Sequence, residues 1–528
     1  MPIRISLTLI LLISFLCDSF AQNNTADLIL RNGRILDGTG NSWFKSNIAI
    51  SNGKIVAIGQ LKDWSATRTI DVQNQIIAPG FIDVHTHIEG DEKRNPTADN
   101  FILDGVTTVV TGNCGLSKTN IGSYFSMLDS LQTSINIATL IGHNDVRKAA
   151  MGTANRAPSE QEMQRMEKIV EDAMKNGAVG FSTGLIYIPG TYSKTEEVVR
   201  LAKVAARFNG VYASHIRSEG DSVVPAIREA INIGTEANIP VEISHFKVSG
   251  QQNWGRSSET IGWVEEARAA GFDVTIDQYP YTASSTSLST LLPDWVLADG
   301  NDSINARLYQ PEIKEQVIEY MIKNLKKRSL KHFSYTVVAS YKADTSFNGL
   351  SIEAINQRLG NPHKVKSEAA TIIDMMLKGG ASMVFHGMSE KDVSNIMKVP
   401  YNMIASDAGI RVFGSGNPHP RGYGTNARVL GKYVREKKII SLEEAIRRMT
   451  SLPAKKFNIV NRGLLREGNI ADIVVFDEKT VDDLSTFEQP HQYSIGFSYV
   501  IVNGQLTVDQ GKHTGTRAGK VIRWDGGK

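Results

Sequence analysis

The chain has 528 residues, 41% of them hydrophobic, which is enough to bury a large core and suits a globular enzyme. Its 58 basic and 55 acidic residues leave a formal charge of +3 with no long basic run, which argues against nucleic acid as a partner.

The first element is a leader over 1–21. Arg4 sits near its start, Ile5 to Leu16 is apolar, and Ser19-Phe20-Ala21 precedes Gln22. An apolar stretch of roughly a dozen residues is too short to span a bilayer, so it reads as a secretory signal cleaved after Ala21. The mature chain is then expected to be exported, to a periplasm, with no membrane span. Lipid anchoring through Cys17 is the lesser alternative, because Leu16 is bulkier than the small residue expected before an anchored cysteine. Loss of Cys17 leaves Cys114 as the sole cysteine, which excludes an intramolecular disulfide.

Next comes a β-rich region. Residues 22–78, with 462–528 at the other end, carry short β-like pieces broken at Asn32-Gly33, Asn52-Gly53 and Asn503-Gly504, which read as hairpin turns. Because the two regions flank everything else, they are expected to form one small composite β domain.

Residues 79–461 alternate strand-like runs with helical patterns such as Ser159–Asn176, Thr195–Asn209 and Ser258–Ala270, the rhythm of βα units. The runs are Phe81–His87, Val106–Asn113, Asn136–His143, Ala178–Thr183, Val211–His215, Ile239–His245, Phe272–Gln278, Met383–His386 and Tyr401–Ser406. An eight-stranded parallel barrel has one place too few, and Met383–His386 is taken as the extra run, which makes His386 structural. The long polar stretch 288–367, expected to be helical, lies between the seventh and last barrel strands. There it is either a lid over the active-site face or a surface decoration.

The chemistry concentrates at the strand ends. His85 and His87 close the first run, and residues i and i+2 of a strand project to one side, so their imidazoles would point together. Alone, His-x-His is weak and more often marks two satisfied histidines. Cys114, His215, His245 and Asp407, however, end four further runs, and a parallel barrel gathers its catalytic groups at the C-terminal ends of its strands. A lone cysteine is commonly a buried small hydrophobe; beside these histidines it becomes a candidate thiolate ligand. Thiolate and imidazole together suit Zn²⁺.

The segments IIAPGFIDVHTH (76–87), GVTTVVTGNCG (105–115), GFSTGLIYIPG (180–190), ASHIRSEG (213–220), ISHFKVSG (243–250), ASDAGIRVFG (405–414) and NPHPRGYGTNARVLG (417–431) resemble, in order, those of the amidohydrolase superfamily and within it the N-acyl-D-amino-acid deacylases (D-aminoacylases). The resemblance implies a distorted (β/α)8 barrel with a small β-sandwich built from both chain ends. It implies a tight zinc site at Cys114, His215 and His245, a second and weaker metal position at His85 and His87, and Asp407 as the catalytic acid–base. It puts Lys247, Tyr279 and Arg421 at the substrate α-carboxylate, with Tyr281 the near alternative to Tyr279. The implied reaction is zinc-dependent hydrolysis of N-acyl-D-amino acids, extending to dipeptides with a C-terminal D-residue. The segment GHNDVR (142–147) departs from the family pattern, which leaves the side-chain preference open. The alternatives are a cyclic-amide or imide hydrolase of the same superfamily and an inert binding protein on the same barrel.

Overall fold

The computed structural model describes residues 24–527. The expected leader over 1–21, its cleavage point and Cys17 lie outside the described residues. Eight parallel strands form one sheet in sequential order: β1 Phe81–Asp83, β2 Val106–Thr111, β3 Asn136–Gly142, β4 Gly180–Gly184, β5 Val211–His215, β6 Val241–Ile243, β7 Val274–Gln278 and β8 Asn402–Ile404. The strands are buried along their whole length, so their sequences read as continuous runs rather than alternating ones. Helices return the chain between them. The one expected over 159–176 runs Glu160–Lys175, opened by a Ser159–Glu162 capping box and burying Met163, Met166, Val170, Ala173 and Met174 on one face.

The barrel closes at the end that matters for function. A backbone bridge joins Thr86 to Ala408, the Asp407 N–H donates to His85 O at 2.9 Å, and the His87 N–H donates to Ala408 O at 2.9 Å. The strand expected to reach His87 stops at Asp83 because the buried Asp83 carboxylate accepts the N–H groups of His85 and Ser406, each at 3.1 Å, in place of a ladder. Burial pushes Asp83 up to about 6 despite those hydrogen bonds. The clamp ties the end of β1 to the end of β8.

Both chain ends supply a second sheet. Asn24–Ile35, Phe44–Ser51, Lys54–Gly59, Trp64–Asp71 and Ile76–Pro79 combine with Ile473–Phe476, Phe497–Val502, Gln505–Asp509 and Lys512–His513. Hydrogen bonding joins all nine strands into one branched sheet. Asn24–Ile35 pairs with Phe44–Ser51 on one side and with Trp64–Asp71, then Ile76–Pro79, on the other. The last stretch leaves this sheet altogether: Val521 bridges to Ile137 of β3, and Ile522 and Trp524 pack against barrel residues. Gly80 marks the passage from sheet to barrel, and a Cβ there would meet Thr107 Oγ1 at 2.2 Å.

The unit between β7 and β8 has its own core, including Leu288, Val296, Leu308, Val317, Phe333 and Ile372. It extends past 288–367 on both sides. Ala283–Ser287, Thr336–Ser340 and Ser382–His386 form a three-stranded antiparallel sheet, so the extra ninth run is a strand of this unit. Its helices include α1 Pro311–Lys327, α2 Ile352–Arg358 and α3 Val365–Leu377. The flanking strand Ala283–Ser287 escaped the sequence reading because Ser284, Ser285, Thr286 and Ser287 show no apolar alternation.

Candidate metal centre and active site

Cys114 follows β2, His215 ends β5, His245 follows β6, and Asp407 follows β8. Cys114, His245 and Asp407 have φ of 53°, 36° and 52°. Non-glycine residues rarely take this left-handed conformation, which costs on the order of 1 kcal/mol each, and its recurrence at three strand ends marks a place where tertiary structure over-determines the backbone.

The expected ligand atoms converge. Cys114 Sγ lies 3.5 Å from His215 Nδ1, 3.6 Å from His245 Nε2 and 3.3 Å from His85 Nε2, while the two nitrogens of His215 and His245 are 2.8 Å apart. Tetrahedral zinc, with Zn–S about 2.3 Å and Zn–N about 2.0–2.1 Å, needs S to N separations of about 3.5 Å, so the donor set fits that ion with a small opening of the two imidazoles. His85, His87 and Cys114 form a second group of donors, and His85, His245 and Asp407 a third. Cys114 is thus shared between two adjoining positions. Burial raises the Cys114 thiol, but the charges of His85 and His215 and the hydrogen bonds of His215 and His245 outweigh it and hold it well below the usual thiol value. The thiolate is the ligand form.

Asp407 Oδ1 is 3.3 Å from His87 Nε2, and Oδ2 is 2.9 Å from Arg421 Nη1. Burial raises its carboxyl; Arg421 and His85 more than offset that and keep it well below the ordinary carboxylate range. Arg421 is buried, with its guanidinium 4.5 Å above the Tyr279 ring. Arg421 Nε and the Tyr279 hydroxyl are buried without a hydrogen-bond partner among the described residues. Tyr281 instead reaches Asp483 and lies under Arg428, so Tyr279 is the tyrosine at the site.

Lys247 lies at the cavity over this centre. Its Nζ donates to Glu219 Oε1 at 2.5 Å and to His245 O at 2.8 Å, so its charge already has a partner. Glu219, four residues after His215, is a site residue that the sequence reading does not name. Its Oε1 is also 3.0 Å from His245 Nδ1. Burial opposes ionisation of Glu219, but the neighbouring Lys247, His215 and His245 charges drive its carboxyl well down. Lys247 Nζ, 2.8 Å from the same Nδ1, has Glu219 Oε1 and His245 O as acceptors, so Nδ1 can give its proton to the carboxylate in the tautomer that leaves His245 Nε2 free toward Cys114. Asp277 of β7 does the same for His85, with Oδ2 3.1 Å from His85 Nδ1, while its Oδ1 accepts the backbone N–H of His245 at 2.8 Å. The available signal was a single acid inside the otherwise uncharged buried run Val274–Gln278.

The unusual GHNDVR segment is structural at its core. His143 and Arg147 share the Glu197 carboxylate at 2.9 and 2.5 Å, and Asn144 donates to Gly184 O and Tyr187 O. His386 packs against Phe487 and takes no part in the donor groups.

A cavity of about 520 Å³ opens over the centre. The barrel side offers His215, Glu219, His245, Lys247, Tyr279 and Asp407; the insertion supplies Tyr320, Met321, Leu325, Arg328, Phe333 and Tyr335. The insertion is therefore a wall of the cavity, and not a distant decoration.

Comparison with known proteins agrees with this architecture. The model of the amidohydrolase family matches residues 68–508. The chain is 34% identical over 527 residues to the D-aminoacylase of Alcaligenes xylosoxydans xylosoxydans, covering 96% of this chain and 99% of the relative. Among solved structures it is similar to the N-acyl-D-glutamate deacylase from Bordetella bronchiseptica, complexed with zinc and a phosphonate mimic of the tetrahedral intermediate. That likeness has a TM-score of 0.81 at 33% identity and covers 95% of this chain and 100% of the other. A D-aminoacylase described by its binuclear metal centre, with one-metal activation and second-metal attenuation, matches with a TM-score of 0.80 at 33% identity over 94% and 100% of the two chains. By the extent of these matches, the chain belongs to the amidohydrolase family.

Proposed function

We propose that this chain is a divalent-metal-dependent hydrolase that cleaves the amide of N-acyl-D-amino acids, releasing a carboxylic acid and a free D-amino acid. The observation that carries the reading is a single buried cluster in which Cys114, His215 and His245 stand with Asp407, Arg421 contacts both Asp407 and Tyr279, and His215, His245, Tyr279 and Asp407 line one cavity. The family and the named activities of its relatives support it.

Cys114, His215 and His245 would hold the metal, with zinc the ion that best suits this donor set, and His85 and His87 offer a second, weaker position. Such an ion would supply Lewis acidity that polarises the scissile carbonyl and lowers the pKa of bound water to about 7. Asp407, ionised through the neutral range, accepts the proton of the attacking water and returns it to the leaving nitrogen. Arg421 and Tyr279 present buried donors for a planar carboxylate, which fixes one end of the substrate. With that end, the α-carbon and the carbonyl all placed, one hand of amino acid fits. Lys247, neutralised by Glu219, contributes position more than charge. The cavity is large enough for an aminoacyl group in place of a simple acyl group, so dipeptides ending in a D-residue belong to the same substrate class.

A cyclic-amide hydrolase would have no use for Arg421. The deciding experiment measures free amino acid released from paired N-acetyl-D and N-acetyl-L panels, L,D-dipeptides and ring amides by the zinc-loaded protein. Preference for D-acids is expected; preference for L-acids or for rings overturns the assignment.

The charged start and apolar centre of the leader over 1–21 support export to a periplasm. Among the described residues no helix is long and apolar enough to cross a membrane. The mass of the mature N-terminus tests the leader, with Gln22 the expected first residue.

A further inference from the structure

Among the described residues, His, Cys, Asp and Glu donors gather in four groups, and three of them belong to the barrel mouth. The fourth lies within the insertion and comprises His332, Glu353, His363 and Glu368. His332 precedes the short turn Phe333–Tyr335, Glu353 is in the first turn of α2, His363 lies in the link that follows, and Glu368 is in the first turn of α3.

The four donor atoms lie within 4.8 Å of one another. His332 Nδ1 is 2.5 Å from Glu368 Oε1 and 3.7 Å from Glu353 Oε1, and His363 Nε2 is 2.6 Å from Glu353 Oε1. The two imidazoles stack with centroids 4.4 Å apart at 22°. Glu368 is fully buried, and among the described residues the ionic partners of the two carboxylates are these histidines alone.

This arrangement asks for positive charge. A buried carboxylate needs a compensating partner, and without a Lys or Arg that partner is either an imidazolium or a cation. Two imidazolium rings stacked face to face at 4.4 Å would repel, whereas a dication neutralises both carboxylates and leaves both rings neutral. Two nitrogens and two oxygens suit zinc and its first-row neighbours rather than Mg²⁺ or Ca²⁺. Tetrahedral zinc with N and O ligands sets donors about 3.3–3.5 Å apart, within the observed range, and half-exposed His363 has room to adjust.

We infer that His332, Glu353, His363 and Glu368 form a separate, non-catalytic transition-metal site that clips together three segments of the insertion. Its consequence reaches the active site through the backbone. Glu368 Oε2 accepts the Phe333 N–H at 2.8 Å, and Phe333 and Tyr335 line the substrate cavity. A cation here fastens the segment that carries these two side chains to α2 and α3, and so sets the outer wall of the cavity.

The test uses the full-length protein, stripped of metal and re-equilibrated with buffered Zn²⁺ or Co²⁺, alongside His363→Ala and His332→Ala/His363→Ala. Wild type should hold one more zinc per chain than the double variant. Both variants should keep the thiolate-to-cobalt charge-transfer band, which reports Cys114 alone. Zinc should slow hydrogen exchange across 332–368 in wild type and not in the variants, with KM raised severalfold in the variants and kcat little changed. Equal zinc content in wild type and variants overturns the inference, as does exchange across 332–368 that ignores zinc. Should the double variant fold poorly, His363→Ala, altered at a half-exposed side chain, decides by the same measurements. Because metal content and exchange are read without substrate, the result stands apart from the catalytic assignment.

Discussion

Arg421 Nη1 lies 2.9 Å from Asp407 Oδ2, so the guanidinium proposed to grip the substrate also touches the proposed acid–base. Arg421→Ala therefore acts on two steps. It removes the cation that keeps Asp407 ionised, which depresses turnover of every substrate, and it removes a donor specific to substrates with a carboxylate. Hydrolysis of N-acyl-D-amino acids should fall further than that of the matching amides, by about 2–5 kcal/mol or a factor of roughly thirty or more in kcat/KM. Equal fractional losses on acid and amide would show that Arg421 serves Asp407 and does not contact the carboxylate.

Cys114→Ala deletes the donor shared by the two adjoining metal positions. Zinc content and activity should fall together, because a tetrahedral site stripped of its thiolate loses both affinity and geometry. Elemental analysis that returns full zinc with normal turnover removes Cys114 from the centre.

Most of this cluster is legible in the sequence. Parallel strands buried on both faces are continuous runs in sequence, and Cys114, His215, His245 and Asp407 stand out because each ends such a run. What was hidden depended on partners distant in sequence. Nothing near Lys247 shows that Glu219, 28 residues away, takes its charge. Nothing near Asp277 shows that it faces His85, 192 residues away. The end of β1 is hidden for the same reason, since the ladder is replaced there by a side chain, Asp83, that also accepts from Ser406, 323 residues on. The insertion's sheet was missed through its hydroxyl-rich edge strand, and its His/Glu cluster because its members spread over 332–368 with no spacing that marks ligands.

Asp407→Asn should keep the fold and most of the metal while losing turnover, because an amide cannot carry the proton from water to the leaving nitrogen. The asparagine still reaches Arg421 and the left-handed φ of 52° suits Asn as well as Asp, so the backbone has no reason to move. A purified variant with near wild-type kcat would require a different base.

Glu219→Gln tests a positioning role. The carboxylate lies 3.0 Å from His245 Nδ1 and 2.5 Å from Lys247 Nζ, so its loss frees the wrong histidine tautomer and leaves an ammonium buried beside the ligands. Zinc affinity, measured by competition with a chelator, should drop about 10- to 100-fold. Unchanged affinity with a raised KM would confine Glu219 to holding Lys247.

Lys456 gives a prediction about stability and pH that is independent of the metal centre. It is buried, with its Nζ 3.1 Å from Asp273 Oδ1, and burial pulls its pKa from 10.5 down to about 8 despite that partner. A folded-state pKa below the unfolded one means that the unfolded chain binds more protons between pH 8 and 10.5, so stability rises with pH across that window. The contribution is fully present above about pH 10.5 and is lost as pH falls through 8, amounting to at most roughly 3 kcal/mol. Lys456→Met fills the same space without a titrating charge, and replacing a buried ion with an apolar group is often neutral or stabilising. The urea midpoint of the variant should exceed that of wild type at pH 7, and the gap should narrow as pH approaches 10.5. Other groups titrating at alkaline pH affect both proteins alike and cancel in the difference. A gap that stays constant from pH 7 to 10.5 would mean that Lys456 keeps its proton in the folded chain, with Asp273 compensating its burial in full.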